Sequence, residues 1–217
     1  MEFINSLTEQ TTAVTDAILA VLSMAAALYL YRIGQQFRWK TILWIFTFGL
    51  LALAGIQGAI AHGFQMSMEL NTLLWYPLYL TLGLLVALFS VAAIYDIWGK
   101  EIARKVLPIM VAIGAGFFVI ILIWPDSFLI FIIYEAVAML FALAGYIWVA
   151  FRGHLKGAWW MVAGISVNIL AAGVQAGESL SFTFIWSFDH NGLYHFIQML
   201  AIVLLVTGLK KALLSRA

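Results

Sequence analysis

The sequence predicts an all-α integral membrane protein, a bundle of seven transmembrane helices with its N-terminus outside and its C-terminus cytoplasmic. Three observations predict it. Of the 217 residues, 65% are hydrophobic and only 10% are charged, where a soluble domain carries about 25% charged residues. Seven apolar runs approach the ~20 residues that cross a bilayer. All eleven Lys and Arg residues fall on one side of the resulting layout, and basic residues mark the cytoplasmic side.

The spans are expected at 11–32, 41–63, 74–96, 106–124, 129–151, 157–178 and 189–209. The first is preceded by Glu2 and Glu9 rather than by a basic segment, so it reads as a retained span and not as a cleaved leader. After span 1 come Arg32, Arg38 and Lys40; after span 3, Lys100, Arg104 and Lys105; after span 5, Arg152 and Lys156; after span 7, Lys210, Lys211 and Arg216. The opposite loops and span ends carry Glu2, Glu9, Glu69, Asp126, Glu178 and Asp189. An odd number of spans with this sorting puts the N-terminus outside. The linkers are short, so residues 1–217 read as a single domain.

The basic clusters also serve as a depth mark, since a helix rises about 1.5 Å per residue. Asp16 is 16 residues from Arg32, Gln57 is 17 from Lys40, Glu135 is 17 from Arg152 and His195 is 15 from Lys210. These side chains therefore share one level, roughly 24 Å above the basic ring. His62, Gln175, Glu178, Asp189, His190 and Asn191 form a second tier nearer the outer surface, while the inner half holds little beyond Ser23, Ser90, Ser166 and Asn168. Ionisable groups facing lipid cost at least about 2.5 kcal/mol each, so Asp16, Glu135 and His195 are expected to face one interior cavity. With no buried Lys or Arg expected beside them, the carboxyls must be protonated or a cation must bind. Imidazole with carboxylate is a ligand set for zinc. The plainer alternatives are an interfacial His62 and His190 and an Asp189 that caps span 7.

The remaining features read as structural. Trp75, Tyr76, Trp124 and Trp186 on the outer side, and Trp39, Trp44, Trp98, Trp159 and Trp160 on the inner side, are expected as interfacial belts. Gly114 and Gly116, and Gly173 and Gly177, are expected at close helix contacts. Pro77 and Pro108 are expected in first helical turns. His154, between Arg152 and Lys156, reads as surface. There are no cysteines, which excludes disulfides and thiolate chemistry. No phosphate loop, nucleotide fingerprint or hydrolase serine elbow is present, and no nucleic-acid partner is expected.

Seven spans, the segment Gly58-Ala59-Ile60-Ala61-His62 ending span 2 and the segment Asp189-His190-Asn191-Gly192-Leu193-Tyr194-His195 opening span 7 resemble the superfamily of alkaline ceramidases and progestin and adiponectin receptors. The resemblance implies a zinc ion near the membrane face that bears the N-terminus, held by His62, His190 and His195. Asp16 or Glu135 would then be the general base on a metal-bound water, and the substrate a lipid-like amide from the bilayer. Gly58 stands where that family has Ser. The span 7 pair is separated by five residues, about 140° around a regular helix, so convergence on one ion requires a distorted first turn. The implied function is an outward-facing metal-dependent hydrolase. Two further readings fit the same residues: a non-enzymatic seven-helix sensor or small-ligand-binding protein, and a haem-binding electron carrier with His62 and His195 as axial ligands.

Overall fold

The computed structural model describes residues 2–35, 38–124, 128–177 and 180–215. Seven helices follow one another: α1 (Leu7–Ile33), α2 (Arg38–Gly63), α3 (Met68–Trp98), α4 (Lys100–Ile123), α5 (Phe128–Arg152), α6 (Ala158–Gln175) and α7 (His190–Leu214). Each is long and apolar enough to cross a membrane. Among the described residues the protein is all-α apart from two short antiparallel ribbons. In the first, β1 (Glu2–Phe3) pairs with β2 (Phe64–Gln65). In the second, β3 (Ser181–Thr183) pairs with β4 (Ser187–Asp189). Neither ribbon was expected, because two or three paired residues carry no alternation long enough to read. Of the expected residues, Asp126, Glu178 and Arg216 lie outside the described ones.

Helix ends follow local chemistry. Ser6, Ser67 and Asp189 cap α1, α3 and α7, each accepting a backbone N–H from its first turn. The plainer reading of Asp189 is thus met. Gly99 alone joins α3 to α4, at φ +88°, a left-handed conformation that favours glycine. Lys100 and Arg104 therefore belong to the start of α4 rather than to a loop. Pro77 and Pro108 also depart from expectation. They lie inside α3 and α4 rather than in first turns, because both helices begin well before the apolar runs that sequence reading detects.

Six helices close into a ring. α1 packs on α2, α2 on α3, α3 on α5, α5 on α6, α6 on α7, and α7 back on α1. α4 lies outside the ring against α3. Gly83 and Gly114 make that contact, since a Cβ on Gly114 would sit 2.6 Å from the carbonyl oxygen of Gly83. Gly116 and Gly173 do not behave as expected: open space surrounds the position of a Cβ on either. Ile109, Ile113, Val119 and Ile123 of α4 remain exposed.

Neighbouring helices alternate in direction, as individual contacts record. The β1–β2 pairing places the start of α1 beside the end of α2. Lys40 near the start of α2 pairs with Asp96 near the end of α3. Gly157 before α6 meets Gly208 late in α7. The ends of α1, α3, α5 and α7, where the basic residues cluster, thus lie at one end of the ring.

Two side chains assigned to the inner interface are buried instead. Trp44 is 1% exposed and packs against Phe48 and Phe89. Lys40 is 4% exposed, with its Nζ 2.5 Å from Asp96 Oδ1. Tyr146 donates its hydroxyl to Asp96 Oδ2 at 2.7 Å, so α2, α3 and α5 are tied together at their basic end. Asp96 is the second half of a buried pair that sequence reading did not find, because a residue at a span edge looks like an ordinary interfacial charge.

Candidate functional site

The ring encloses a cavity of about 150 Å³. Its walls run from Trp44 to His62 on α2 and from Asn191 to Leu205 on α7, roughly 27 Å and 21 Å of helix axis. A volume this small over that length describes a narrow, elongate space. On α2 the wall is one face, Trp44, Thr47, Phe48, Leu51, Ala54, Gly55, Gly58 and His62, whose three- and four-residue spacings mark one helix stripe. α4 contributes nothing to the walls.

Asp16, Glu135 and His195 all line this one space, and all three are buried. Residues 60 or more apart in sequence on α1, α5 and α7 are brought together because each sits at the same height on its helix. Gly58 makes room for Asp16: a Cβ there would lie 2.6 Å from Asp16 Oδ2. Gln57 shares the level and its Oε1 is buried without a partner, but it is not part of the cavity wall.

The hydrogen bonds around Asp16 define where protons sit. Thr15 donates its hydroxyl to the carbonyl of Thr12 at 2.9 Å. Thr15 Oγ1 then accepts from His195 Nδ1, 3.3 Å away, which leaves Nε2 facing Asp16 Oδ1 at 3.3 Å. One proton must occupy that gap, on either the ring or the carboxyl, since two lone pairs would repel. In both placements Asp16 Oδ2 carries no proton and remains an acceptor. Glu135 Oε1 accepts from Asn168 Nδ2 at 3.2 Å.

Asp16 Oδ2, Glu135 Oε2 and Gln175 Oε1 are buried without a partner, and all three residues line the cavity. An unsatisfied buried polar atom costs about 1–3 kcal/mol, so three in one space mark it as built for more than packing. Trp44 Nε1 is also without a partner, at the far end. Below the polar groups the walls are Phe89, Met139, Ile165, Ile202 and Leu205. The space therefore has a polar head and an apolar floor.

His62 occupies a different place from His195. Its Nδ1 is 2.7 Å from Glu9 Oε2, and its ring meets Trp75 edge to face at 5.6 Å. His62 and Trp75 line both the cavity and a groove formed with Ile4, Glu9, Met68 and Asn71. The two rings thus stand between the groove and the cavity. His190 opens α7 and is half-buried, five residues from His195. His154 is exposed, as expected.

These positions do not suit the zinc triad. Both ring nitrogens of His195 are engaged by Thr15 and Asp16, and His62 Nδ1 is engaged by Glu9. Among the described residues, no group of three or more His, Cys, Asp or Glu is arranged to hold a metal ion. The set His62, His190 and His195 therefore does not fit zinc. A cavity of about 150 Å³ is also below the ~300 Å³ of the smallest drug-sized pockets, which leaves no room for a haem between His62 and His195.

Fold and site together define a seven-helix bundle with a buried, polar-headed cavity. Residues 11–214 match DUF6962, a family of unknown function, and the chain belongs to that family. No curated protein and no solved structure matches it.

Proposed function

We propose that this is a multi-pass membrane protein, N-terminus outside and C-terminus cytoplasmic, that binds a small amphiphilic ligand without transforming it. The observation that carries this reading is the buried, partly open cavity whose unpartnered acceptors, Asp16 Oδ2, Glu135 Oε2 and Gln175 Oε1, lie above an apolar floor. A ligand that supplies hydrogen-bond donors to the head and apolar surface to the floor removes both costs at once. The orientation is supported by the gathering of basic residues at the ends of α1, α3, α5 and α7. With that orientation the His62–Trp75 pair lies towards the outer face, and the bridge from Glu9 to His62 ties the entry to the first turn of α1. Ligand entry past this pair would alter contacts of α1 and α2 at one end of the ring.

The test is thermal unfolding of the full chain in lipid nanodiscs with short straight-chain amphiphiles. Ala201 is 1% exposed and lines the cavity, so Ala201→Phe fills it. A saturable rise in Tm in the natural protein, absent from Ala201→Phe, is the expected result. An equal rise in both proteins would place the binding elsewhere and sink the reading.

A further inference from the structure

The head and floor of the cavity point to one ligand chemistry: we propose that it binds a straight-chain alkylammonium, with the ammonium between Glu135 and Asp16 and the chain along α7. The inference rests on the small-ligand reading above and names the ligand class. The orphaned atoms at the head are all acceptors, Asp16 Oδ2, Glu135 Oε2 and Gln175 Oε1. Two of the nearby amide donors already have partners. Asn168 Nδ2 donates to Glu135 and Gln198 Nε2 donates to the Tyr194 hydroxyl at 2.9 Å. What the head lacks is therefore N–H groups, several at once. An ammonium supplies three, an alcohol one and a carboxylate none.

Charge points the same way. Among the described residues no Lys or Arg lines the cavity, and the buried Lys40 is held by Asp96 at the opposite end. Asp16 and His195 hold one proton between them across 3.3 Å, so in either placement Asp16 offers an acceptor oxygen without an unpaired charge. Glu135 accepts from the neutral amide of Asn168, forms none of the ion pairs among the described residues, and is the group left for a cationic ligand. The ring of Tyr194, beside His195 in the wall, supplies a face on which a cation is favourable.

Shape selects the rest of the molecule. From His195 to Leu205 the α7 wall runs roughly 15 Å, while a volume of about 150 Å³, the size of a cavity that holds benzene, limits the ligand to a thin chain of roughly eight carbons or fewer. A bare inorganic cation would leave this floor empty, and a branched or fused-ring ligand would not fit so thin a space.

Equilibrium binding of radiolabelled octylamine to the full chain in nanodiscs tests this, with protein-free discs as the blank and octanol and octanoate as matched probes. Octylamine is expected to bind about tenfold or more tighter than octanol, with octanoate weakest. This comparison needs no variant. Glu135→Gln is expected to abolish the preference for amine over alcohol. Ile202→Trp in the floor is expected to weaken octylamine more than butylamine. If octanol binds as well as octylamine, the amine class is overturned while small-ligand binding stands. If sodium displaces octylamine stoichiometrically, the site is an inorganic cation site and the proposal falls. If none of the three probes binds saturably, the reading of the cavity falls with it.

Discussion

Gly58 and Asp16 show how one missing side chain creates a site. The nearest atoms to a Cβ on Gly58 would all belong to the Asp16 carboxyl, which is itself held by His195. Gly58→Ala is therefore expected to push the carboxyl off His195, at a cost of about 1–3 kcal/mol, read as a lower Tm and as weaker ligand binding. An unchanged Tm with full binding would show that Asp16 can move freely. The buried pair Lys40 and Asp96 makes a second case at this scale. Lys40→Met leaves the Asp96 carboxylate with Tyr146 alone and is expected to cost about 3–5 kcal/mol. The double variant Lys40→Met/Asp96→Leu removes the stranded charge and is expected to recover most of that loss, as a double-mutant cycle in detergent would measure. Equal losses in the single and double variants would contradict a desolvated pair.

Among the helices, α4 stands apart. It touches the ring through α3, across the Gly83–Gly114 approach, and through Phe117, which packs on Phe131 and Tyr134 of α5, and no residue of it lines the cavity. Gly114→Leu should therefore separate α4 from α3 and lower Tm by an amount reflecting about 1–3 kcal/mol of overpacking. Ligand affinity should stay within about twofold, since six other helices build the site. Loss of affinity in this variant would mean that α4 braces the cavity. The prolines of α3 and α4 belong to this scale as well. Pro77 and Pro108 sit within continuous helices, where apolar runs alone suggested helix starts. In α3 the carbonyl of Pro77 accepts the Thr81 hydroxyl at 2.8 Å, one of several polar contacts made locally within a helix.

For the whole molecule, the ring places its polar head away from the ends where basic residues gather. Reporter fusions at each terminus should give an external N-terminus and a cytoplasmic C-terminus. A cytoplasmic N-terminus would reverse the side from which a ligand enters past His62 and Trp75. The spans, their alternation and the shared depth of Asp16, Glu135 and His195 were legible in the sequence, because hydropathy and charge sorting are one-dimensional and helix rise is constant. Which faces met was not. The depth count could not say that Gln57 points away from the cavity while Gly58 opens it, because adjacent residues differ by about 100° around a helix. Nor could it separate Lys40 and Trp44, both buried, from the interfacial residues beside them. The histidines of spans 2 and 7 suggested a shared metal from their order along the chain. The tertiary structure gave them different partners instead, Glu9 for His62 and Thr15 with Asp16 for His195. Composition thus determined that the chain is helical and how its helices are directed, since those follow from solvent preference and chain length. Only the packing of six helices into a ring decided which polar groups meet and which acceptors remain without donors, because rotation about each helix axis is set by its neighbours.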